Sequence, residues 1–230
     1  MKIRSKQILK NQRLYASTRS GGCSGNSIRS KVINTLKNLN TKNKSLLDFG
    51  SGKGELLSIL YKTFKFRKLC GADIYKKSKK LQNKIDWLKT DLNNNLKIKK
   101  KFDFVICSEV IEHLENPRQT LRNIYDLMKP NSTLILTMPN NESIRGIAGM
   151  IFNGHYASFL GNSYPAHITA LLKLDLIRIC KEIRFSNLSF FYTDHGRIPK
   201  FTRLTWQNLS FEFLKGKYFS DNILMIAKKK

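Results

Sequence analysis

The sequence is short of acid: 16 Asp and Glu stand against 42 Lys and Arg in 230 residues, for a formal charge of +26. Such an excess draws a chain toward polyanions and anionic surfaces at low salt. The charge is not gathered into a stripe. Lys76, Lys77, Lys79 and Lys80 form one group, Lys97, Lys99, Lys100 and Lys101 a second, and Lys228, Lys229 and Lys230 close the sequence. A nucleic-acid footprint is focused, so the dispersal reads as general solvated surface, with peripheral contact to an anionic membrane or to RNA as the alternative. Cysteine is scarce too. Cys23, Cys70, Cys107 and Cys180 lie far apart with no CxxC pair, so neither zinc nor a disulfide framework is suggested. Cys70 and Cys107 fall in apolar runs, where a thiol serves as a small hydrophobe, and a reducing cytoplasm is the expected location. No 18-residue apolar run and no secretory core after the basic start are found, so no transmembrane segment is expected.

What is present suffices for one domain, since 41% hydrophobic residues can fill a three-layer core. Residues 1–44 carry eleven Lys or Arg and no acid, with a Ser/Gly patch at Ser20–Gly25. Residues 1–26 are expected to be a basic mobile arm, and 27–230 the folded domain. Ile28, Val32, Ile33, Leu36 and Leu39 recur at helical spacing behind a cap at Asn26 or Ser27. Thereafter strands and helices alternate: a strand at 45–49, a helix at 55–64, a strand at 69–74, a Lys-rich helix and a short strand at 85–88. A strand at 102–107, a helix at 116–128, a strand at 133–138, a helix at 168–183 and strands at 188–193 and 223–227 complete the series. The alternation predicts a doubly wound parallel sheet with right-handed crossovers.

The sequence Asp48-Phe49-Gly50-Ser51-Gly52-Lys53-Gly54 joins the first strand to a helix. Glycines at such a crossover let a ligand approach the backbone and the helix N-terminus. The spacing is neither GxGxxG nor a P-loop, because Glu55 follows Gly54 where a P-loop needs Lys. Asp48 would repel phosphate but suits a ligand carrying an ammonium and a sulfonium. Asp73, nineteen residues beyond Gly54, ends the second strand, where an acid accepts ribose hydroxyls. Asp91 follows the third strand, placed for an adenine amino group, with Leu92 against the ring.

These segments, with Gly71-Ala72-Asp73 and the run Phe102 to Leu114, resemble the class I S-adenosylmethionine-dependent methyltransferases over about residues 30–194. The resemblance implies a Rossmann-like seven-stranded sheet, mostly parallel with one antiparallel strand, in a three-layer α/β/α arrangement. It implies S-adenosyl-L-methionine as cofactor, held by Asp48, Phe49, Gly50, Ser51, Gly52 and Gly54 at its methionine end. Asp73 and Ile74 would meet the ribose, Asp91 and Leu92 the adenine, and Ser108 and Glu109 the rim.

Methyl transfer is an in-line displacement, so alignment dominates, and a hydroxyl acceptor also wants a base. His113, four residues after Glu109 and next to Glu112, is one base candidate; His155 and His167 are the others. The Glu-x-x-Glu-His pattern also resembles a magnesium site of small-RNA 2′-O-methyltransferases and ubiquinone-pathway O-methyltransferases. Local helix capping is the alternative role, and whether a metal is used stays open. Gly146–Leu172 holds no charged residue, and the insertion at about 140–167 is expected to cap the pocket as a substrate lid. A second insertion, 195–220, mixes aromatic and basic residues as membrane interfaces or stacked nucleic acids require, or as a small extra core layer would. Short motifs at 139–145, 154–156, 164–169 and 219–224 resemble a branch of bacterial surface-polysaccharide pathways. The expected activity is therefore O-methylation of a small or lipid-linked glycan or related metabolite. RNA methylation, 2′-O among the options, and a non-catalytic cofactor-binding module are the alternatives.

Overall fold

The computed structural model describes residues 2–22, 24–94, 96 and 99–230; Cys23 and Lys97 thus lie outside the described residues. Its strands are β1 (Ser45–Phe49), β2 (Lys68–Asp73), β3 (Asp86–Lys89), β4 (Phe102–Ser108), β5 (Met128–Pro139), β6 (Phe185–Tyr192), the short β7 (Arg197–Ile198) and β8 (Phe201–Thr205), and β9 (Asn222–Lys229). The helices are α1 (Lys2–Arg19), α2 (Asn26–Lys37), α3 (Glu55–Thr63), α4 (Pro117–Leu127), α5 (Ile144–Asn153), α6 (Lys173–Ile183) and α7 (Trp206–Leu209). Seven strands form one sheet in the order β3-β2-β1-β4-β5-β9-β6. Neighbours from β3 to β5 pair in parallel, and β9 runs antiparallel to both β5 and β6.

The sheet is covered on both faces because successive strand residues are apolar. Leu46, Phe104, Ile106 and Ile135 point one way and pack with Val32, Leu36, Leu57 and Leu60 of α2 and α3. Their neighbours Leu47, Val105, Cys107, Leu134 and Leu136 point the other way, onto Leu121 and Ile124 of α4 and Leu176 and Ile179 of α6. Period-two alternation within a continuous apolar run thus builds two cores at once. Cys70, Cys107 and Cys180 are unpaired and buried within this packing. Between β1 and β4 the strand order reverses, opening a crevice at their carboxyl ends, where open α/β sheets bind ligands.

Several expectations are corrected. Within the 1–26 stretch expected as a mobile arm, residues 2–19 form α1, whose Arg13 pairs with Asp91 and Glu115. The Lys-rich segment after β2 is not helical. Its lysines fall at like-charge spacings that disfavour a helix, and Lys77 instead spends its ammonium on the carbonyls of Gln82 at 3.0 Å and Ile85 at 2.6 Å. The helix expected from Ile168 begins at Lys173. Before it the chain is extended, with Ile168 and Thr169 N–H groups both donating to the Glu112 carbonyl at 3.0 Å. Asp175 then accepts from the Leu172 N–H at 3.0 Å and starts α6. The insertion at 140–167 contains α5, and 195–220 forms the β7–β8 ribbon with α7, organised by buried Gln207. That side chain accepts from Gly196 N–H and donates to the Leu214 and Phe219 carbonyls.

Candidate functional site

The glycine loop leaves β1 and folds back on β2. Gly50 and Ser51 N–H groups donate to the Ala72 carbonyl at 2.8 and 3.2 Å. The Ser51 hydroxyl donates to the Asp48 carbonyl at 2.7 Å and accepts from Ala72 N–H at 3.1 Å. Gly52 has φ +54°, and a Cβ there would collide with the Gly22 carbonyl, which also accepts from Lys53 N–H at 3.1 Å. Glycine is therefore demanded by protein packing as well as by any ligand. Asp73 braces the loop, accepting from Gly52 N–H at 2.7 Å and Tyr75 N–H at 3.0 Å. Asp48 is 2% exposed. Burial, and then the neighbouring Asp73 charge, push its carboxyl up to about 7. Such an acid gains most from a cationic ligand.

A cavity of about 610 Å³ lies over this loop. Asp48, Gly50, Ser51, Gly52, Asp73, Ile74, Asp91, Leu92, Ser108, Glu109, His113 and His167 all reach it. Phe49 is fully buried in the core and Gly54 turns behind the loop, so these two shape the site without lining it. His155 is exposed and does not line the cavity, unlike His113 and His167.

Residues that sequence reasoning missed come mainly from α1. Leu9, Gln12, Arg13, Tyr15 and Ala16 roof the cavity. Arg13 donates to Asp91 Oδ2 at 2.8 Å and forks onto both oxygens of Glu115 at 2.8 and 2.7 Å. Asp91 Oδ1 already accepts from Asn93 N–H at 3.0 Å, so the acid expected to read adenine is also the anchor of the roof. The acid-free composition of residues 1–44 concealed this, because an arginine's partners far along the chain leave no local pattern.

The far end of the cavity differs chemically. Glu109, with φ +56°, follows β4 and accepts from Asn222 Nδ2 on Oε2 at 2.7 Å. Its Oε1, both carboxylate oxygens of Glu112 and Nδ1 of His167 are buried among the described residues with no hydrogen-bond partner. Burial, only partly offset by its own backbone N–H, pushes the Glu112 carboxyl up to about 8; burial and then the Glu112 charge hold Glu109 well above its ordinary value. His113 Nδ1 donates to the Ala166 carbonyl at 2.8 Å, which leaves Nε2 without its proton and available as an acceptor or ligand. The rings of His113 and His167 approach to 4.7 Å between centroids. Burial first, then the neighbouring imidazole, lower the His167 pKa to about 4, while burial also lowers that of His113. Ligand atoms of Glu112, His113 and His167 all lie within 4.8 Å of one another. Native proteins leave few buried polar atoms unpaired, and this concentration of acceptors, with donors lacking, fits a divalent cation. The fit rests on one carboxylate, Glu112, and two imidazoles, His113 and His167.

A family model described as a methyltransferase domain matches residues 25–209. The ubiquinone biosynthesis O-methyltransferase of Rickettsia canadensis is 40% identical over 68 residues, which cover 30% of this chain and 28% of that protein. The matched segment thus spans little more than a quarter of that relative. Two solved structures share the fold. A SAM-dependent methyltransferase from Archaeoglobus fulgidus aligns with TM-score 0.59 and 21% identity, covering 88% of this chain and 93% of its own. The plantazolicin methyltransferase BamL, bound to SAH, aligns with TM-score 0.63 and 17% identity over 96% of both chains.

Proposed function

The chain belongs to the methyltransferase-domain family, and from that premise we propose that it moves a methyl group from S-adenosylmethionine to an oxygen of a small hydroxylated metabolite. The observation that carries the acceptor half of this reading is the convergence of Glu109, Glu112, His113 and His167 on the cavity that holds the glycine loop, with unpaired buried atoms on Glu109, Glu112 and His167. S-Adenosylmethionine supplies the methyl group on a positively charged sulfur that leaves as a neutral thioether.

Asp48 answers the cationic methionine end, and its burial strengthens that attraction by excluding water. Asp73 takes the ribose hydroxyls beside Ile74, and Leu92 lies against the adenine, whose amino group reaches Asp91. Gly50 and Gly52 keep side chains out of the methionine channel, Ser51 holds the loop, and Ser108 and Glu109 form the rim. Glu112, His113 and His167 would hold a divalent cation. It would supply Lewis-acid activation of the acceptor hydroxyl, and the imidazole content favours a first-row transition ion over Mg²⁺. Glu109 Oε1 takes the acceptor's proton, a role helped by the burial that raises its basicity above that of an ordinary carboxylate. The two histidines then act as ligands and not as the base.

A calorimetric titration with S-adenosylhomocysteine comes first, followed by methyl-labelled cofactor with a catechol, a sugar diol, a primary amine and a short RNA. Micromolar cofactor-product binding and label on oxygen of the catechol or the sugar are expected. The sugar arm tests the surface-polysaccharide resemblance, and the catechol arm the likeness to the ubiquinone-pathway relatives. Label on the amine alone, or steeply salt-dependent labelling of RNA alone, overturns the small-metabolite reading. Absence of cofactor-product binding overturns the whole of it.

A further inference from the structure

Helix α5 is turned inside out. Its small residues Gly146 and Gly149 face the protein, where added Cβ atoms would meet the Asn141 carbonyl at 2.5 Å and the Ala157 nitrogen at 2.7 Å. Its bulky apolar residues face outward: Ile147, Met150, Ile151 and Phe152 are 43%, 40%, 69% and 75% exposed. An amphipathic helix on a protein that meets only water does the reverse. The β7–β8 ribbon stands beside its end, with Lys200 Nζ 5.9 Å from the Phe152 ring centroid and Phe201 61% exposed. Farther along the same insertion, Phe211 and Phe213 are 86% and 87% exposed.

We propose that α5 and the 195–220 insertion form a surface that docks on an anionic lipid bilayer. Charge complementarity identifies the occupant. The acids of this region are already in ion pairs, Glu142 with Lys217, Glu212 with Lys215 and Asp221 with Arg197, so Lys200 and Arg203 add uncompensated positive charge among the exposed rings. Basic residues interleaved with Phe, Leu and Ile are the composition of an interfacial segment, which sinks its apolar face to the acyl boundary while the charges meet anionic headgroups. Ile147, Met150 and Ile151 have no ring to stack on a base, which disfavours single-stranded nucleic acid as the occupant. A second copy is disfavoured because each chain carries a formal +26. The inner side of α5 packs on the segment that leads to His167, with Phe159 at 5.4 Å from that ring. A docked α5 therefore lies one layer from the cavity.

Co-sedimentation of the full chain with sucrose-loaded vesicles tests this. Vesicles of phosphatidylcholine with about one third phosphatidylglycerol should bind at least about 10-fold more tightly than neutral vesicles, and high salt should weaken the binding. The pairs Ile151→Ser with Phe152→Ser, and Phe211→Ser with Phe213→Ser, should each weaken binding by about 10-fold. S-Adenosylhomocysteine affinity and thermal midpoint should stay at wild-type values in both pairs, which separates this surface from the cofactor site. Wild-type vesicle binding by both pairs, equal binding to neutral and anionic vesicles, or no binding at all overturns the proposal. So does a concentration-dependent dimer that the same substitutions abolish.

Discussion

The two ends of the cavity are held together in opposite ways. At the glycine loop the backbone donors are spoken for: the Ala72 carbonyl, the Asp73 carboxylate and the Gly22 carbonyl pair the N–H groups of residues 50–53 before any ligand arrives. At the other end Glu109, Glu112 and His167 leave four buried atoms unpaired. A satisfied cradle selects by shape and charge and changes little when filled. An unsatisfied cluster costs the ligand-free fold a desolvation penalty for each group, and a cation or an acceptor offsets it. The first end is therefore read as a preformed cofactor seat and the second as the place where chemistry is completed.

The sharpest way to break this contrast is Glu112→Gln. Turnover should fall by about 10²–10³-fold, in the range seen when one transition-state contact is lost. S-Adenosylhomocysteine affinity by calorimetry should be unchanged, and equal losses in both would erase the distinction between the two ends. Asp48→Asn is the reciprocal test, with cofactor affinity expected to fall about 10–100-fold, the size of one charge-assisted contact. It carries a pH signature as well. Without ligand the Asp48 carboxyl sits at about 7, and a cationic cofactor favours its ionised form. Binding must then expel a proton below that pH, so S-adenosylmethionine affinity should rise with pH through about 7 and level off above it. In Asp48→Asn the contribution should vanish.

Dialysis against a chelator should abolish turnover and leave cofactor-product affinity within about 2-fold, with Mn²⁺ restoring the rate, because the cation belongs to the unsatisfied end alone. Turnover that survives the chelator would assign Glu112 and the two histidines to hydrogen bonding with the acceptor. The smallest effect is expected from Arg13→Ala. Its ion pairs with Asp91 and Glu115 hold α1 over the cofactor end, and their loss should speed cofactor-product release by about 3–10-fold in stopped flow, as suits a partly exposed pair. Unaltered release would show that α1 is no part of the cofactor seat.

The cofactor end was far more legible in the sequence than its counterpart. A strand, a glycine-rich turn and a helix are contiguous, and Asp73 and Asp91 stand at the next two strand ends, so local pattern and strand order suffice to gather them. The Glu109-to-His113 run was equally visible. His167 and His155, in one charge-free insertion, were indistinguishable by composition. The path of that insertion separates them: the chain from Ala166 to Thr169 is bonded to Glu112, Leu114 and His113, which carries His167 inward and leaves His155 in solvent. Asn222 was hidden for a similar reason, since its bond to Glu109 spans 113 residues.

By itself the sequence determined the alternation of apolar runs, hence the doubly wound sheet, and the acid-and-glycine chemistry at the end of its first strand. Those features follow from periodicity and backbone sterics, which act over a few residues. Tertiary structure alone decided that the basic N-terminal segment is a helix roofing the cavity and that a distant histidine completes the acidic cluster. It also decided that α5 shows its apolar face to the outside. Each depends on contacts between segments far apart in the chain, where burial and charge are set by neighbours that no local window contains.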